Sequence, residues 1–163
     1  YAPGREVIAA PPVAWRSISG LSLGRPSPLA QAEWLAADIA AGLPHVFAST
    51  SEQFIPQMLN VDLFDGVSYT KGCYAGQEIV ARTHHLGRVK RRTLRFHLPA
   101  GGAAPAPLSH LLLEGVKAAD VLMTAETDDG IELLAVTNLD AAGKVLQLED
   151  GRSAEPRQLP YSV

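Results

Sequence analysis

Lys71-Gly72-Cys73-Tyr74-Ala75-Gly76-Gln77-Glu78, running on through Ile79-Val80-Ala81-Arg82, gathers the residue types with the widest chemical scope in the chain. Cys73 is its single cysteine. Flanking glycines permit backbone conformations closed to other residues and a close approach to a ligand, so the thiol belongs on a tight turn rather than inside a regular element. Gly76 marks a stop before a helix whose first turn carries Gln77 and Glu78. A thiol just ahead of a helix N-terminus, beside Lys71 and within reach of Arg82, meets surroundings that favour thiolate over thiol. The plainer reading of a lone cysteine is a small buried hydrophobe. Core cysteines sit within apolar runs, whereas this one has Lys71, glycine and Tyr74 around it, which favours a functional role. Glu78 reads as a partner of the helix dipole, an ordinary helix-start carboxylate or a ligand-binding group.

Other candidates are more ambiguous. Trp34 lies off the centre of a helical apolar stripe, where an aromatic either caps the edge of a core or offers a platform for a flat ligand. Gln57 and Asn60 are possible hydrogen-bond donors to a heterocycle and equally plausible turn residues. His84 and His85 are adjacent, which points their side chains apart on a helix and makes poor bidentate metal geometry, so no role is assigned to them. Six of the fourteen basic residues, Arg82, Arg88, Lys90, Arg91, Arg92 and Arg95, fall close together. They read as a solvated strand face with edge protection, an anion site for a carboxylate tail, or a small footprint for RNA phosphates.

The elements that must position these residues are punctuated clearly in places. Residues 5–10, ended by Pro11-Pro12, read as an edge strand, and residues 13–17 as a second one. Ser27 as N-cap, Pro28 at the first helical position and Gly42 past the end bound a helix whose buried face is Leu29, Ala32, Leu35, Ala36 and Ile39. The irregular stretch from Pro44 to Thr70 holds Phe54, Ile55, Met58, Leu59, Leu63 and Phe64, too much apolar surface to leave solvated, so it should pack down as a lid or wall. A short helix runs from Gln77 to about His84 and ends at Gly87. Residues 89–98 alternate as a half-buried strand, with Leu94, Phe96 and Leu98 on one face. After a Gly/Ala/Pro stretch over residues 100–107, short strands are expected over 111–116, 119–126, 131–138 and 144–149. Asp129-Gly130, Ala142-Gly143 and Asp150-Gly151 are the turn signals around them. The domain organisation that follows is 1–97 and 98–163.

With 47% hydrophobic and 19% charged residues the composition is that of a core-forming chain, neither disordered nor fibrous. A net charge of −3 gives no global attraction to nucleic acid or an anionic membrane. One cysteine allows no internal disulfide and cannot alone supply a cysteine-rich metal or cluster site, which fits a reducing compartment. Tyr1-Ala2-Pro3-Gly4-Arg5 lacks the pattern of a signal peptide, and the uncharged stretch from His97 to Leu113 is broken by prolines and Gly101-Gly102, so no membrane span is expected.

Lys71 to Glu78 resembles the K-G-C-[YF]-x-G-Q-E signature of the YgfZ family, the folate-binding proteins related to the glycine-cleavage aminomethyltransferase and linked to iron–sulfur maintenance and tRNA modification. Trp34…Ile39…Gly42-Leu43-Pro44, then Phe54-Ile55-Pro56-Gln57…Asn60, Val67-Ser68-Tyr69 and the closing Leu159-Pro160-Tyr161 resemble the same family in the same order, covering about Trp15 to the C-terminus. The resemblance implies an α+β fold: part of an aminomethyltransferase-type folate-binding domain followed by a small antiparallel β-barrel-like domain. Family members are longer, so it also implies that the N-terminal half of the folate region lies outside these residues. It further implies tetrahydrofolate or a derivative as cofactor, with Trp34, Tyr74, Gln77, Glu78 and Arg82 as folate contacts, and Cys73 assisted by Lys71 as the reactive group. Implied partners are iron–sulfur proteins, including enzymes that modify tRNA. A monomer in the cytoplasm, or in the mitochondrial matrix of a eukaryote, with no stable nucleic-acid or membrane binding, completes the expectation. Two rivals stand beside it: an aminomethyltransferase proper, passing a one-carbon unit to tetrahydrofolate, and an interaction module whose cysteine is structural.

Overall fold

The structure, a computed structural model, describes residues 28–85 and 87–163. The strands expected over 5–10 and 13–17 and the cap at Ser27 lie outside the described residues. The fold is organised around a closed antiparallel barrel of six strands: β1 (Arg91–Pro99), β2 (His110–Leu113), β3 (Val116–Thr127), β4 (Gly130–Asn138), β5 (Leu146–Leu148) and β6 (Ser153–Arg157), in the order β1-β4-β3-β2-β5-β6. Two helices lie outside it, α1 (Pro28–Ala41) and α2 (Gln77–His85), with residues 44–70 forming a wall of turns that includes a short 3-10 helix, Val61–Phe64.

Alternation along the strands fills the barrel. Phe96 and Leu98 from β1, Leu111 from β2, Val121 from β3, Ile131, Leu133 and Ala135 from β4, Leu146 and Leu148 from β5 and Ala154 from β6 make one buried cluster. Because side chains alternate across a strand, Leu134 and Val136 of β4 point outwards, where they would cost free energy unless covered. A register shift between Val121 and Met123 places two successive residues, Leu122 and Met123, in that same outer cluster. Ile39 of α1 and Leu59 of the wall cover it, with Leu35, Ala36, Phe54, Met58, Val61 and Leu159 packed around them. Full burial of such a side chain is worth about 1.5–3 kcal/mol, so this second core is a principal force holding α1 and the wall to the barrel.

Polar bonds fix where the wall sits. Arg92 forks onto Asp62 at 2.6 and 3.0 Å and donates to the Gln57 carbonyl at 2.9 Å. Thr93 Oγ1 donates to the Met58 carbonyl, and Asn60 Nδ2 to the Thr93 carbonyl, at 2.9 and 2.8 Å. Helix α1 ends where expected, with Gly42 at φ +70° and the Leu43 amide closing back on the Asp38 carbonyl at 2.8 Å. Tyr161 then clasps that end, donating from its hydroxyl to the Gly42 carbonyl at 2.7 Å, accepting from Asn60 at 3.2 Å, and meeting Phe64 edge-on. Burial pushes the Tyr161 phenol above its ordinary pKa, against the opposing pull of Asn60 and Arg92, so the hydroxyl stays a donor.

Several sequence expectations need adjustment. The boundary at 97–98 falls inside β1, which pairs with both β4 and β6 and is a stave of the barrel. The hairpin at Asp129-Gly130 is found, but β2 and β3 turn at Glu114-Gly115, both at positive φ, rather than running on to residue 116 and restarting at 119. Strand β6 was not expected at all. Ala32, assigned to the buried face of α1, is exposed, whereas Leu35 and Ala36 are half-buried and Ile39 is fully buried. Among the described residues, 28–90 contain no strand: the described portion of the part expected to belong to an α+β folate domain is a helix and a wall laid against the barrel, with a short helix fastened to the wall.

Half of the basic cluster is tied into the fold. Arg91 pairs with Asp120 at 2.6 Å and Arg95 with Glu132 at 2.8 Å; with Arg92, three of the six cations are spent on the fold. Asp120 additionally takes Lys117 at 2.7 Å and lies 3.0 Å from His110. Burial alone would raise the Asp120 pKa, but hydrogen bonds and charge from Lys117 and Arg91 outweigh it and hold the carboxyl below its ordinary value. A depressed folded pKa contributes stability that is complete above the unfolded value, about pH 4, and fades as pH falls through the folded one. Asp120→Asn is therefore expected to lose about 1–3 kcal/mol at pH 7, with the gap to wild type narrowing as the pH is taken below about 4. Urea unfolding at pH 7 and at a series of pH values below about 4 checks this; a gap that does not narrow would show that the charge of Asp120 is irrelevant.

Candidate functional site

The signature stretch forms an exposed turn and the head of α2. Gly76 takes φ +81°, a left-handed conformation that lets the chain enter the helix, and a Cβ there would meet nothing within 4 Å. The Gln77 side-chain carbonyl accepts from the Tyr74 amide at 3.2 Å, while the Gln77 amide donates to the Tyr74 carbonyl at 3.1 Å. This reciprocal closure satisfies a donor that would otherwise be left free ahead of the helix. Before it, the Lys71 amide donates to Ser68 Oγ at 3.2 Å, and the Lys71 ammonium lies 4.6 Å from the centre of the Tyr74 ring. Cys73 sits between these two anchored points as an exposed free thiol.

The structure thus brings Lys71, Tyr74 and Gln77 together around Cys73 in the chain, and leaves Glu78 and Arg82 exposed along α2. Trp34 stands elsewhere, on α1, which packs on β3 and β4, and the residue is 37% exposed. Lys71 is held over an aromatic ring, and the Gln77 carbonyl is occupied by the helix start.

Gln57 and Asn60 are not available as donors to a heterocycle. Gln57 Nε2 donates to the Val80 carbonyl at 2.8 Å, fastening α2 to the wall, and lies 3.4 Å from the Tyr69 hydroxyl. Asn60 Nδ2 is used on Thr93 and Tyr161. What remains of these two buried amides is their acceptors: Gln57 Oε1 and Asn60 Oδ1 have no hydrogen-bond partner among the described residues.

Tyr69 is a residue that sequence reasoning left without a role. Its ring stacks on His84 at 3.8 Å with 16° between planes, and His85 meets His84 edge-on at 4.7 Å. An aromatic and a histidine fifteen residues apart give no periodic signal; only the wall's packing against α2 joins them. A cavity of about 570 Å³ opens at one end of the barrel, lined by Pro105, Leu108, His110, Leu148, Asp150 and Arg152 among others, and shares no residue with the signature. Among the described residues no three His, Cys, Asp or Glu come together as a metal-holding group, and no helix is long and apolar enough to cross a membrane.

A closed barrel carrying an outer helix, a wall and an exposed cysteine at a helix head defines a class of scaffold rather than a chemistry. The comparisons with known proteins are more specific. The chain is 39% identical over 141 residues to the tRNA-modifying protein YgfZ of Yersinia pestis (strain Pestoides F), and equally to that of Yersinia pseudotuberculosis serotype O:1b. It is 38% identical over 142 residues to the tRNA-modifying protein YgfZ of Sodalis glossinidius. Each match covers 80% of this chain and 42% of the relative, so the chain spans less than half the length of the curated relatives it matches. No protein-family model matches it. The chain is a homologue of the YgfZ proteins, consistent with their C-terminal half.

Proposed function

We propose that the protein carrying these residues serves tRNA modification, as the names of its relatives say of them, and that it does so by binding a reduced folate and supporting iron–sulfur enzymes in the cytoplasm. The observation that carries this reading is the exposed Cys73, presented on a turn that is pinned on both sides and matched by the resembled signature. A structural cysteine would be buried; this thiol faces solvent, where a partner protein or small molecule can reach it. In this reading Cys73 is the reactive group, Lys71 and Tyr74 hold the turn that presents it, and Glu78 and Arg82 offer charge along the adjoining helix. Trp34 is the group whose form suits a pterin: a partly exposed indole gives a flat stacking face. The aminomethyltransferase-type folate domain belongs to the same proposal.

Two measurements test it. In cells whose own copy is replaced by Cys73→Ala, tRNA nucleosides made by iron–sulfur enzymes are expected to fall to the level seen without the protein, while the purified variant keeps its melting temperature. Wild-type modification in that strain would remove Cys73 from the mechanism, and a lost melting transition would return it to a structural role. For folate, saturable quenching of tryptophan fluorescence by tetrahydrofolate on the intact protein is expected to survive Cys73→Ala and to be lost in Trp34→Phe. Absence of quenching in wild type would sink the folate assignment.

A further inference from the structure

From Ile79 to Leu113 the chain contains no aspartate or glutamate, and this stretch holds His84, His85, His97 and His110 as well as the six clustered cations. Of those cations Arg91, Arg92 and Arg95 are bound to carboxylates of the fold. Arg82, Arg88 and Lys90 are exposed and have no carboxylate partner among the described residues. They are near neighbours in the chain. Arg82 is in the last turn of α2, and Gly87, just past the end of that helix, is so near Thr83 that a Cβ would meet its backbone at 3.1 Å. Basic groups on the last turn of a helix have an ordinary function, offsetting the dipole, but that effect dies away within the turn and does not account for Arg88 and Lys90 beyond it.

The second observation is independent of charge. His84, exposed, is stacked flat on the half-buried Tyr69, with His85 edge-on beside it. The Tyr69 hydroxyl accepts from the Gln57 amide at 3.4 Å. A stacked ring pair with an open face, bordered by unpaired cations, is the combination that receives unpaired bases: the rings accept a base on their π-face while the cations contact phosphates. Double-stranded nucleic acid, whose bases are already stacked, gains nothing from the rings.

We propose that the Tyr69–His84–His85 ledge, with Arg82, Arg88 and Lys90, is a contact surface for an unpaired segment of RNA. The surface itself stands on the charge and ring geometry; its assignment to the tRNA on which a modifying enzyme works rests on the function proposed above. Three cations against a net charge of −3 make this a weak, salt-sensitive contact, one that positions RNA rather than retains it.

The test is fluorescence anisotropy of a labelled, unstructured twelve-nucleotide RNA with the intact protein at two salt concentrations, beside a duplex of the same length. Wild type is expected to prefer the single strand, with a slope of log affinity against log salt of about −2 for three phosphate contacts. The triple variant Arg82→Gln/Arg88→Gln/Lys90→Gln should lose most of that slope, and His84→Ala should weaken binding about fivefold or more while leaving the slope in place. All these positions are exposed, and circular dichroism confirms that the variants fold. Equal binding by the triple variant and wild type, equal binding of duplex and single strand, or no binding by wild type would each overturn the proposal. These outcomes are independent of the Cys73→Ala modification assay: lost modification with no RNA binding refutes the surface and keeps the function, and the converse result does the reverse.

Discussion

Arg92→Met is expected to destabilise the protein by about 3–5 kcal/mol, the range for breaking one side of a buried ion pair. The Arg92 side chain is 12% exposed and that of its partner Asp62 16%, and one planar group satisfies both carboxylate oxygens and the Gln57 carbonyl. Methionine fills comparable space and makes none of these bonds, leaving the Asp62 charge and a backbone carbonyl stranded beneath the wall. Lysine is not a conservative replacement, because a single ammonium cannot reproduce the fork. The double change Arg92→Met/Asp62→Leu should recover much of the loss, since removing both partners of a buried pair is often close to neutral. Urea denaturation of the three variants decides the matter. A loss below about 1 kcal/mol in Arg92→Met would mean that the pair behaves as a surface one and that the wall is held by its apolar contacts alone.

Gly42→Ala should cost about 2–5 kcal/mol, the sum of two separable effects. The residue sits at φ +70°, where a side chain strains the backbone, and its Cβ would lie 2.6 Å from the Tyr161 hydroxyl and 2.7 Å from Leu159 Cδ2. A double-mutant cycle separates them. In a Tyr161→Ala background part of the clash is gone and the strain remains, so Gly42→Ala should cost less there than in wild type. Equal costs in both backgrounds would show that Tyr161 gives way and that the backbone conformation and the Leu159 contact set the penalty. Tyr161→Phe, which keeps the ring and removes the clasp's hydrogen bonds, is expected to lose about 1–3 kcal/mol.

These two sites also show what was legible in the sequence. Gly42 announced the end of α1, because a glycine followed by Pro44 after an apolar stripe is local chemistry, and Asp129-Gly130 announced a hairpin for the same reason. The alternation of Leu94, Phe96 and Leu98 gave their shared face correctly, and all three belong to the barrel interior or pack against it. What the sequence did not disclose is what closes on what. Asp62 and Arg92 are thirty residues apart, Tyr161 and Gly42 more than a hundred, and no periodicity links such pairs. The basic cluster read as one surface because its members are neighbours in the chain, yet the carboxylates that absorb half of it come from Asp62, Asp120 and Glu132 on other elements. Strand β6 was hidden by Pro156, which demotes a segment to an edge; in the barrel it pairs β1 with β5 and so closes the ring.

The signature was legible as a place and less so as a mechanism. Its glycines and helix start are where the residues said, and Gln77 turned out to serve the turn itself. Tyr69, three residues before Gly72, became noticeable only when the wall set its ring against His84.

The bonds that join wall, helices and barrel share a trait: Arg92, Thr93, Asn60, Gln57 and Tyr161 each address a main-chain carbonyl, those of Gln57, Met58, Thr93, Val80 and Gly42. A carbonyl is the same whichever side chain hangs beside it. As far as these bonds are concerned, the sequence is therefore free to drift at Met58 and Val80, which only accept, while the donors, Gln57 and Thr93 among them, stay fixed, and Gly42 with them. Homologues that look dissimilar across residues 44–70 should still carry the wall at the same height above the barrel, and with it the turn on which Cys73 is displayed.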